Sequence, residues 1–153
     1  ATQAVLYDGW YLGLGDVVFY LTNEDTGVND YYWVSRSAGL MIRGGANYSC
    51  VQLEAELIDF ALKHLGWTES GFDLAVVGHK LGSEHEDSCC VLLELRDVSD
   101  EQANAMLEDF QREAILKVSK GAKPDHVKLG SVPRNFKGAT VRPKVREYFE
   151  CLA

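Results

Sequence analysis

Two continuous apolar runs of strand length lie in the middle of the chain and constrain its fold more than any other feature. They are FDLAVVGH, residues 72–79, and CCVLLELR, residues 89–96, with the acidic stretch GSEHEDS between them. Apolar runs of this length between turn-forming residues are typical of core strands. HVKLG, from residue 126, predicts a further strand. We therefore expect a small three-stranded sheet in the core.

Helical periodicity appears on both sides of these runs. Over residues 51–65 apolar residues recur at i, i+3 and i+4, and Gly66 predicts the helix end. Ser99 and Gln102 form a capping-box signature, which predicts a helix over about residues 100–118. We expect both helices to pack on the sheet. The predicted buried side of the second helix comprises Ala103, Met106, Leu107, Phe110 and Ile115.

The N-terminal third is rich in strand-forming residues. Aromatic and β-branched segments at 10–22 and 30–37 flank the turn-prone stretch 23–30, which predicts a hairpin. LMIRGGANYS, residues 40–49, predicts two short strands around a Gly-Gly turn. Strands and helices mix without a regular βαβ repeat, so the predicted fold class is α+β: an N-terminal β-hairpin region, then the small sheet packed with helices.

Composition excludes several classes of protein. With 153 residues, 46% of them hydrophobic and 25% charged, the chain suits one soluble globular domain or slightly more. The net charge of −8 argues against a general nucleic-acid or anionic-membrane binder. The apolar runs are too short to predict a transmembrane segment. The first residue is not methionine and no signal peptide is evident, so we expect a processed chain or a fragment.

The cysteines predict neither a disulfide framework nor a zinc site. Cys50, Cys89, Cys90 and Cys151 show no CxxC spacing, and adjacent Cys89 and Cys90 would point to opposite faces of a strand. We expect reduced, buried thiols and therefore a reducing compartment, the cytoplasm or an organelle interior. The loop sequence SEHEDSCC holds potential ligands, but consecutive residues rarely converge on one ion, so no bound metal is predicted.

Several short motifs follow one another in a specific order. They are GWYLGLGD, VSR, LMIRGGANYS, a helix with QLEAEL, a strand with LAVVG, and VPRNFKGATVR. From about Gly9 onward, this series resembles the C-terminal portion of the AMP-forming adenylating enzymes: acyl-CoA synthetases, peptide-synthetase adenylation domains and luciferases. The matching family stretches are roughly TGD, GRxKDLIIRGGENI, a helix with an IE pair, DVAVVG and LPKTxSGKxxR. The resemblance implies that residues 1–38 end the large domain and that residues 39–153 form the lid domain.

The resemblance also implies functions for individual residues. Asp16 matches the aspartate that hydrogen-bonds the ATP ribose, and Arg36 the arginine that approaches the ribose and phosphates. Gly44 and Gly45 match the turn that swings toward the pantetheine channel when the small domain rotates. The implied ligands are therefore ATP or AMP and CoA.

The chain also departs from the family pattern. Leu14 replaces the usual threonine, and Gly39 stands at the hinge position that is usually Asp or Lys. Ala139 stands where the catalytic lysine belongs, and Lys137 lies two residues earlier. On a strand-like loop this shift would keep Lys137 on the same face but move it about 6–7 Å along the chain. Two alternatives remain open: Lys137 substitutes for the family lysine, or adenylation is lost.

The basic cluster at residues 134–146 would by itself suit a solvated helix face, but we predict an ordered loop that presents Lys137. Pro133 and Gly138 flank the lysine, and Pro143 begins a closing helix over RPKVREYFECL. The residues expected to anchor the loop are Val145, Tyr148, Phe149 and Leu152.

Two functions compete at this stage. The first is a lid that closes over an ATP, acyl-adenylate and CoA site supplied by a missing large domain or a protein partner. This chain has no Gly-rich phosphate loop, so we expect no activity from its 153 residues alone. The alternative is a non-catalytic interaction or structural subunit of a larger assembly that retains the lid fold, which Ala139 and Gly39 favour.

Overall fold

The computed structural model describes residues 6–7, 10–11, 16–36 and 39–152. The chain divides into two compact units, Ala1–Ala38 and Gly39–Ala153. The first unit contains β1 (Leu6–Tyr7) paired with β2 (Trp10–Tyr11) in an antiparallel manner.

A longer hairpin completes the first unit. Strand β3 (Asp16–Thr22) pairs antiparallel with β4 (Asn29–Arg36). The turn closes through backbone bonds: the Gly27 N–H donates to the Asn23 carbonyl at 2.8 Å, and the Asn23 N–H donates to the Val28 carbonyl at 2.8 Å. The predicted hairpin is confirmed, and Leu14 lies outside the described residues.

The second unit begins with a tighter hairpin. Strand β5 (Leu40–Arg43) pairs with β6 (Ala46–Ser49). Gly44 and Gly45 join them with φ angles of +58° and +75°. Two successive positive φ values define a type I′ turn, which matches the twist of the flanking strands. The predicted strand, Gly-Gly turn and strand are therefore confirmed.

A three-stranded sheet forms the centre of the second unit. Its strands are β7 (Phe72–His79), β8 (Ser88–Leu95) and β9 (His126–Leu129), in the order β7-β8-β9. Strand β8 pairs antiparallel with β7 and parallel with β9. A parallel neighbour requires a crossover, which the helix α2 (Asp100–Lys117) supplies. The predicted α+β class and the sheet are confirmed.

Local signals fix the ends of the two long helices. Helix α1 (Cys50–His64) is followed by Gly66 at φ +69°, and the Trp67 N–H turns back to donate to the Ala61 carbonyl at 3.2 Å. Helix α2 begins with the predicted capping box. The Gln102 N–H donates to Ser99 Oγ at 3.3 Å, and the Ser99 N–H donates to Gln102 Oε1 at 3.0 Å.

The sheet is covered on both faces, because alternate residues of a strand point to opposite sides. Cys89 belongs to the hydrophobic cluster beneath α1 and α2, whereas adjacent Cys90 belongs to the cluster beneath the C-terminal segment. The first cluster includes Leu53, Leu57, Phe60, Leu74, Val76, Val91, Leu93, Phe110 and Ala114. The second includes Ala75, Val77, Leu92, Val132, Val145 and Phe149. The expected packing of both helices on this sheet is confirmed.

Two predictions about buried residues were wrong in part. Ile115 is 42% exposed. It directly follows the buried Ala114, and one residue turns about 100° around the helix axis, so its side chain faces solvent. Cys151 is exposed, unlike the other three cysteines, although all four are free thiols.

The closing helix is shorter than predicted. Helix α3 (Arg142–Glu147) ends early, and a separate 3₁₀ helix covers Glu150–Leu152. Val145 and Phe149 are fully buried, as expected of anchors, but Tyr148 and Leu152 are 38% and 42% exposed. The Phe149 N–H donates to the Arg146 carbonyl, three residues back, and such tight turns rarely continue. Across the described ranges, no helix is long and apolar enough to cross a membrane.

Candidate functional site

Lys137 lies at the tip of a small ordered hairpin. Arg134 and Thr140 form an antiparallel bridge at its base. Inside this bridge, the Asn135 N–H donates to the Ala139 carbonyl at 2.9 Å, and the Gly138 N–H donates to the Asn135 carbonyl at 2.8 Å. Gly138 has φ +78°, which permits the reversal of the chain. We call residues 134–140 the Lys137 loop.

The side chain of Asn135 holds this loop from inside. Its Oδ1 accepts hydrogen bonds from the Lys137 N–H at 2.9 Å and from the Ala139 N–H at 3.0 Å. An Asn side chain that binds the backbone two residues on is a common turn-forming device. The strand-like geometry expected here was therefore wrong. Lys137 lies at the tip of a turn and Ala139 on its returning arm, so strand alternation does not relate the two positions.

Arg134 fastens the Lys137 loop to the sheet. Its Nη2 donates to Asp73 Oδ1 at 2.7 Å and its Nε donates to Asp73 Oδ2 at 2.9 Å. The same guanidinium donates from Nη1 to the Gly138 carbonyl at 2.9 Å. Asp73 lies near the start of β7. One planar side chain thus joins both arms of the loop to a core strand.

A second, buried arginine holds the chain just after the loop. Arg142 donates from Nη1 to Glu54 Oε1 at 2.6 Å and from Nη2 to Glu54 Oε2 at 3.1 Å. These side chains are only 10% and 13% exposed. Arg142 Nη1 also donates to the Val76 carbonyl at 2.6 Å, while the Val76 N–H donates to Glu54 Oε1 at 2.8 Å. Burial acts to lower the pKa of Arg142, but the hydrogen bonds and charge of Glu54 raise it overall.

A third carboxylate holds the chain just before the loop. Glu94 Oε2 accepts from the Val132 N–H at 2.7 Å and from Ser131 Oγ at 3.0 Å. Burial acts to raise the pKa of Glu94, but these hydrogen bonds and the neighbouring Arg96 lower it overall. Asp73, Glu94 and Glu54, on three different elements, therefore hold the segment that carries Lys137.

The tip itself projects into solvent. Phe136 is 93% exposed, and Lys137 Nζ lies 5.5 Å from the centroid of its ring. Among the described residues, no carboxylate forms an ion pair with Lys137. Its ammonium group is therefore available to an anionic group from outside this unit.

Gly44 and Gly45 lie at the opposite end of β7. The strand before them is held there by Asp87, which accepts from the Ile42 N–H at 2.8 Å and donates its own N–H to the Ile42 carbonyl at 2.7 Å. A Cβ on Gly78, near the end of β7, would lie 2.8 Å from Met41 Cγ. Asp73 and Gly78 are about 17 Å apart at the usual rise of a strand. The structure thus does not bring the glycine turn and the Lys137 loop together.

Asp16 and Arg36 belong to the first unit. They are direct partners in the β3–β4 pairing, so their backbones face each other at the open end of the hairpin. Their side chains are outside what the structure describes. Gly39, the residue at the family hinge position, is buried and starts the second unit.

Other chemistries find little support in the described residues. Burial raises the pKa of Cys89 and of Cys90 to about 12, so neither thiol supplies a nucleophile at neutral pH. In the described part of the chain, no group of three His, Cys, Asp or Glu side chains could hold a metal ion.

An open cleft of about 390 Å³ lies beside the Lys137 loop. It is lined by Ile58, Glu69, Phe72, Asp73, Arg96, Arg134 and Gly138.

Comparison with known proteins supports the resemblance at the level of fold. No protein-family model matches the chain, and no curated protein matches it significantly. Among solved structures, it is similar to the amide bond synthetase McbA from Marinactinospora thermotolerans, with 23% identity, a TM-score of 0.57, and coverage of 97% of this chain and 27% of that one. McyG A-PCP, complexed with phenylalanyl-adenylate, is 20% identical with a TM-score of 0.70, and the match covers 97% of this chain and 22% of that one.

A third similar structure is ATP-bound MatB from Rhodopseudomonas palustris, with 19% identity, a TM-score of 0.57, and coverage of 99% of this chain and 27% of that one. At these identities the likeness is one of fold. The chain therefore has the fold of a part of the adenylating enzymes, and it spans about a quarter of the length of these proteins.

The sequence did not reveal which carboxylates hold the loop. Asp73 is 61 residues from Arg134, and Glu54 is 88 residues from Arg142. The segments that resemble the adenylating enzymes contain all four residues. The only available signal was therefore the presence of opposite charges in separate motifs, which does not identify the pairs.

Proposed function

We propose that this chain is the C-terminal lid portion of an AMP-forming acyl-CoA synthetase-like protein. It would close over an ATP, acyl-adenylate and CoA site supplied by a large domain or a partner chain. The observation that carries the proposal is the ordered Lys137 loop in the segment that resembles LPKTxSGKxxR, which presents an ammonium group that forms no ion pair with any described carboxylate. The shared fold with ATP-bound MatB and adenylate-bound McyG supports it.

In this proposal Lys137 takes the place of the family lysine. An ammonium group placed between a carboxylate and an α-phosphate stabilises the negative charge that develops during adenylation. Ala139 has no group that could do this, whereas the tip position lets the long Lys137 side chain extend away from the sheet. The role requires accurate placement, which the bonds from Asn135 and Arg134 support.

The glycine turn would serve the second half of the reaction. By the resemblance, Gly44 and Gly45 approach the pantetheine of CoA, while Asp16 and Arg36 contact the nucleotide. The Lys137 loop is held at Asp73 and the strand before the glycine turn lies against Gly78, about 17 Å further along β7, so a reacting centre could meet only one of them at a time. This separation supports a lid that presents its two ends in turn.

The chain by itself should not catalyse adenylation. Its sequence contains no Gly-rich phosphate loop, and three clefts of about 470, 390 and 290 Å³ among the described residues are open. Adenylation requires both a phosphate cradle and a pocket that excludes water. We expect the purified chain to show no ATP–pyrophosphate exchange with any carboxylic acid above a denatured control.

The deciding experiment uses the complete protein. Lys137→Ala should slow adenylation by on the order of 10²–10³, as the loss of one oriented charge does. Ala139→Lys in the same variant tests the position, since a lysine at the family site should restore part of the rate. Unchanged adenylation in Lys137→Ala would contradict the proposed role.

The second candidate is the interaction subunit, which Phe136 favours. A ring that is 93% exposed at the tip of a hydrogen-bonded loop could be an anchor for a protein partner. Under this alternative the complete assembly would not depend on Lys137 for any adenylation step, and Phe136→Ala would release the partner.

A further inference from the structure

We propose that Asp73 is a positioning residue for Lys137 and that it acts through Arg134. The inference rests on the proposed function, because it assigns Asp73 a part in the adenylation half-reaction. Asp73 would not touch the reacting atoms. It would set where the tip of the Lys137 loop stands relative to the sheet.

The first step of the argument is that Asp73 belongs to the rigid part of the unit. It lies in β7, where it pairs with Glu94 of β8, and its side chain is only 18% exposed. Its Oδ1 also accepts from the Leu74 N–H at 2.8 Å, which fixes the direction of the carboxylate. Arg96 Nη2 lies 3.9 Å from Oδ2. The carboxylate is therefore a fixed point on the scaffold.

The second step is that Arg134 transmits this position to the loop. Its guanidinium is held by both oxygens of Asp73 and in turn donates to the Gly138 carbonyl, the residue after Lys137. A guanidinium is planar, and its donors have a fixed geometry, so the carboxylate and the carbonyl must keep a fixed relation. A lysine at position 134 would keep the charge but lose this geometry.

The third step compares magnitudes. The Arg134 side chain is 39% exposed, and ion pairs of exposed side chains contribute little to stability. A displacement of about 1 Å at a reacting centre can cost about 10²-fold in rate. Loss of the pair should therefore slow the reaction far more than it destabilises the fold.

The test separates the two half-reactions of the complete protein. Asp73→Ala and Arg134→Lys should each slow formation of the acyl-adenylate by about 10- to 100-fold. Thioester formation from supplied acyl-adenylate should be unchanged, because the glycine turn lies at the other end of β7. Asp109→Ala is the matched control, since Asp109 also pairs with an exposed arginine, Arg112, but on α2.

A second measurement does not depend on activity. Hydrogen exchange at the Lys137 and Ala139 amides, which bond to Asn135, should be about tenfold faster in Asp73→Ala and unchanged in Asp109→Ala.

If Lys137→Ala slows adenylation but Asp73→Ala and Arg134→Lys do not, the inference is wrong and the proposed function stands. If Lys137→Ala has no effect, the proposed function fails first. Equal slowing of both half-reactions would show a merely structural role for Asp73 and would also overturn the inference.

Discussion

Two arginines on either side of the Lys137 tip each bind a carboxylate from a distant part of the chain, yet the two contacts differ in surroundings. The side chains of Arg142 and Glu54 are 10% and 13% exposed. The pair also forms hydrogen bonds with the backbone carbonyl and N–H of Val76 in β7. The Arg134–Asp73 pair is 39% and 18% exposed and binds the loop itself. The same chemistry therefore stabilises the fold in one place and orients a loop in the other.

The two pairs should differ in their effect on stability, because removing one residue of a pair leaves its partner in different surroundings. Removal of one buried partner leaves a charge and backbone groups without hydrogen bonds in a place that water does not reach. Removal of Asp73 leaves the charge of Arg134, whose side chain is 39% exposed, where water can solvate it. The buried pair should therefore govern unfolding, and the exposed pair should govern the position of Lys137.

The largest expected effect is that of Glu54→Ala. It would leave Arg142 buried without its partner and the Val76 N–H without an acceptor, so we expect a loss of about 3–5 kcal/mol in the free energy of unfolding. Urea denaturation of the complete protein, followed by a probe in this unit, measures it. Asp59→Ala on the same helix is the control, because its exposed pair with Lys63 should contribute only about 0.5 kcal/mol. Similar losses in both variants would remove the distinction between the buried and exposed pairs.

Most of the second unit could be predicted from its sequence because its signals are local. The capping box at Ser99, the Gly-Gly turn and the helix stop at Gly66 each lie within a few residues of the structure that they specify. The conformation around Lys137 could not be predicted in this way, because the Asn135 side chain bonds to the backbone inside a turn, which replaces the strand-like geometry expected for the loop.

The contacts that orient the candidate site were also beyond prediction. Asp73 lies on β7 and Arg134 in the C-terminal segment, and no sequence period relates positions 61 residues apart. The family resemblance indicated Lys137 as a candidate, but the match of Ala139 to the expected lysine left its role open. Whether Lys137 takes over that role stays a prediction.

A smaller effect should appear at low pH, at the base of the Lys137 loop. The hydrogen bonds from Val132 and Ser131, together with Arg96, outweigh burial and keep the pKa of Glu94 below its usual value. A carboxyl with a lowered folded pKa contributes stability that is complete above the unfolded pKa of about 4.3 and is lost as pH falls through the folded pKa.

Glu94→Gln should therefore reduce the loss of stability between about pH 5 and pH 3. Urea midpoints measured over this range would test it, with Glu108→Gln at an exposed site as the control. The same pH dependence in both variants would show that Glu94 does not fasten the segment before the loop.

The smallest expected effect on stability is that of Phe136→Ala, at the tip of the loop between the two arginines. This variant tests what the tip does once the two pairs have placed it. The ring is 93% exposed, so its removal should change the free energy of unfolding by at most about 1 kcal/mol. Its contact with the Lys137 ammonium, 5.5 Å from the ring centroid, should contribute about 0.5–1 kcal/mol at an exposed site. Adenylation by the complete protein should therefore change only a few-fold if Lys137 acts as a lid residue.

An anchor for a protein partner would behave differently, because loss of an aromatic anchor typically costs about 2 kcal/mol or more in binding. Unchanged stability with strongly weakened partner binding, and adenylation that does not depend on Lys137, would favour the interaction subunit.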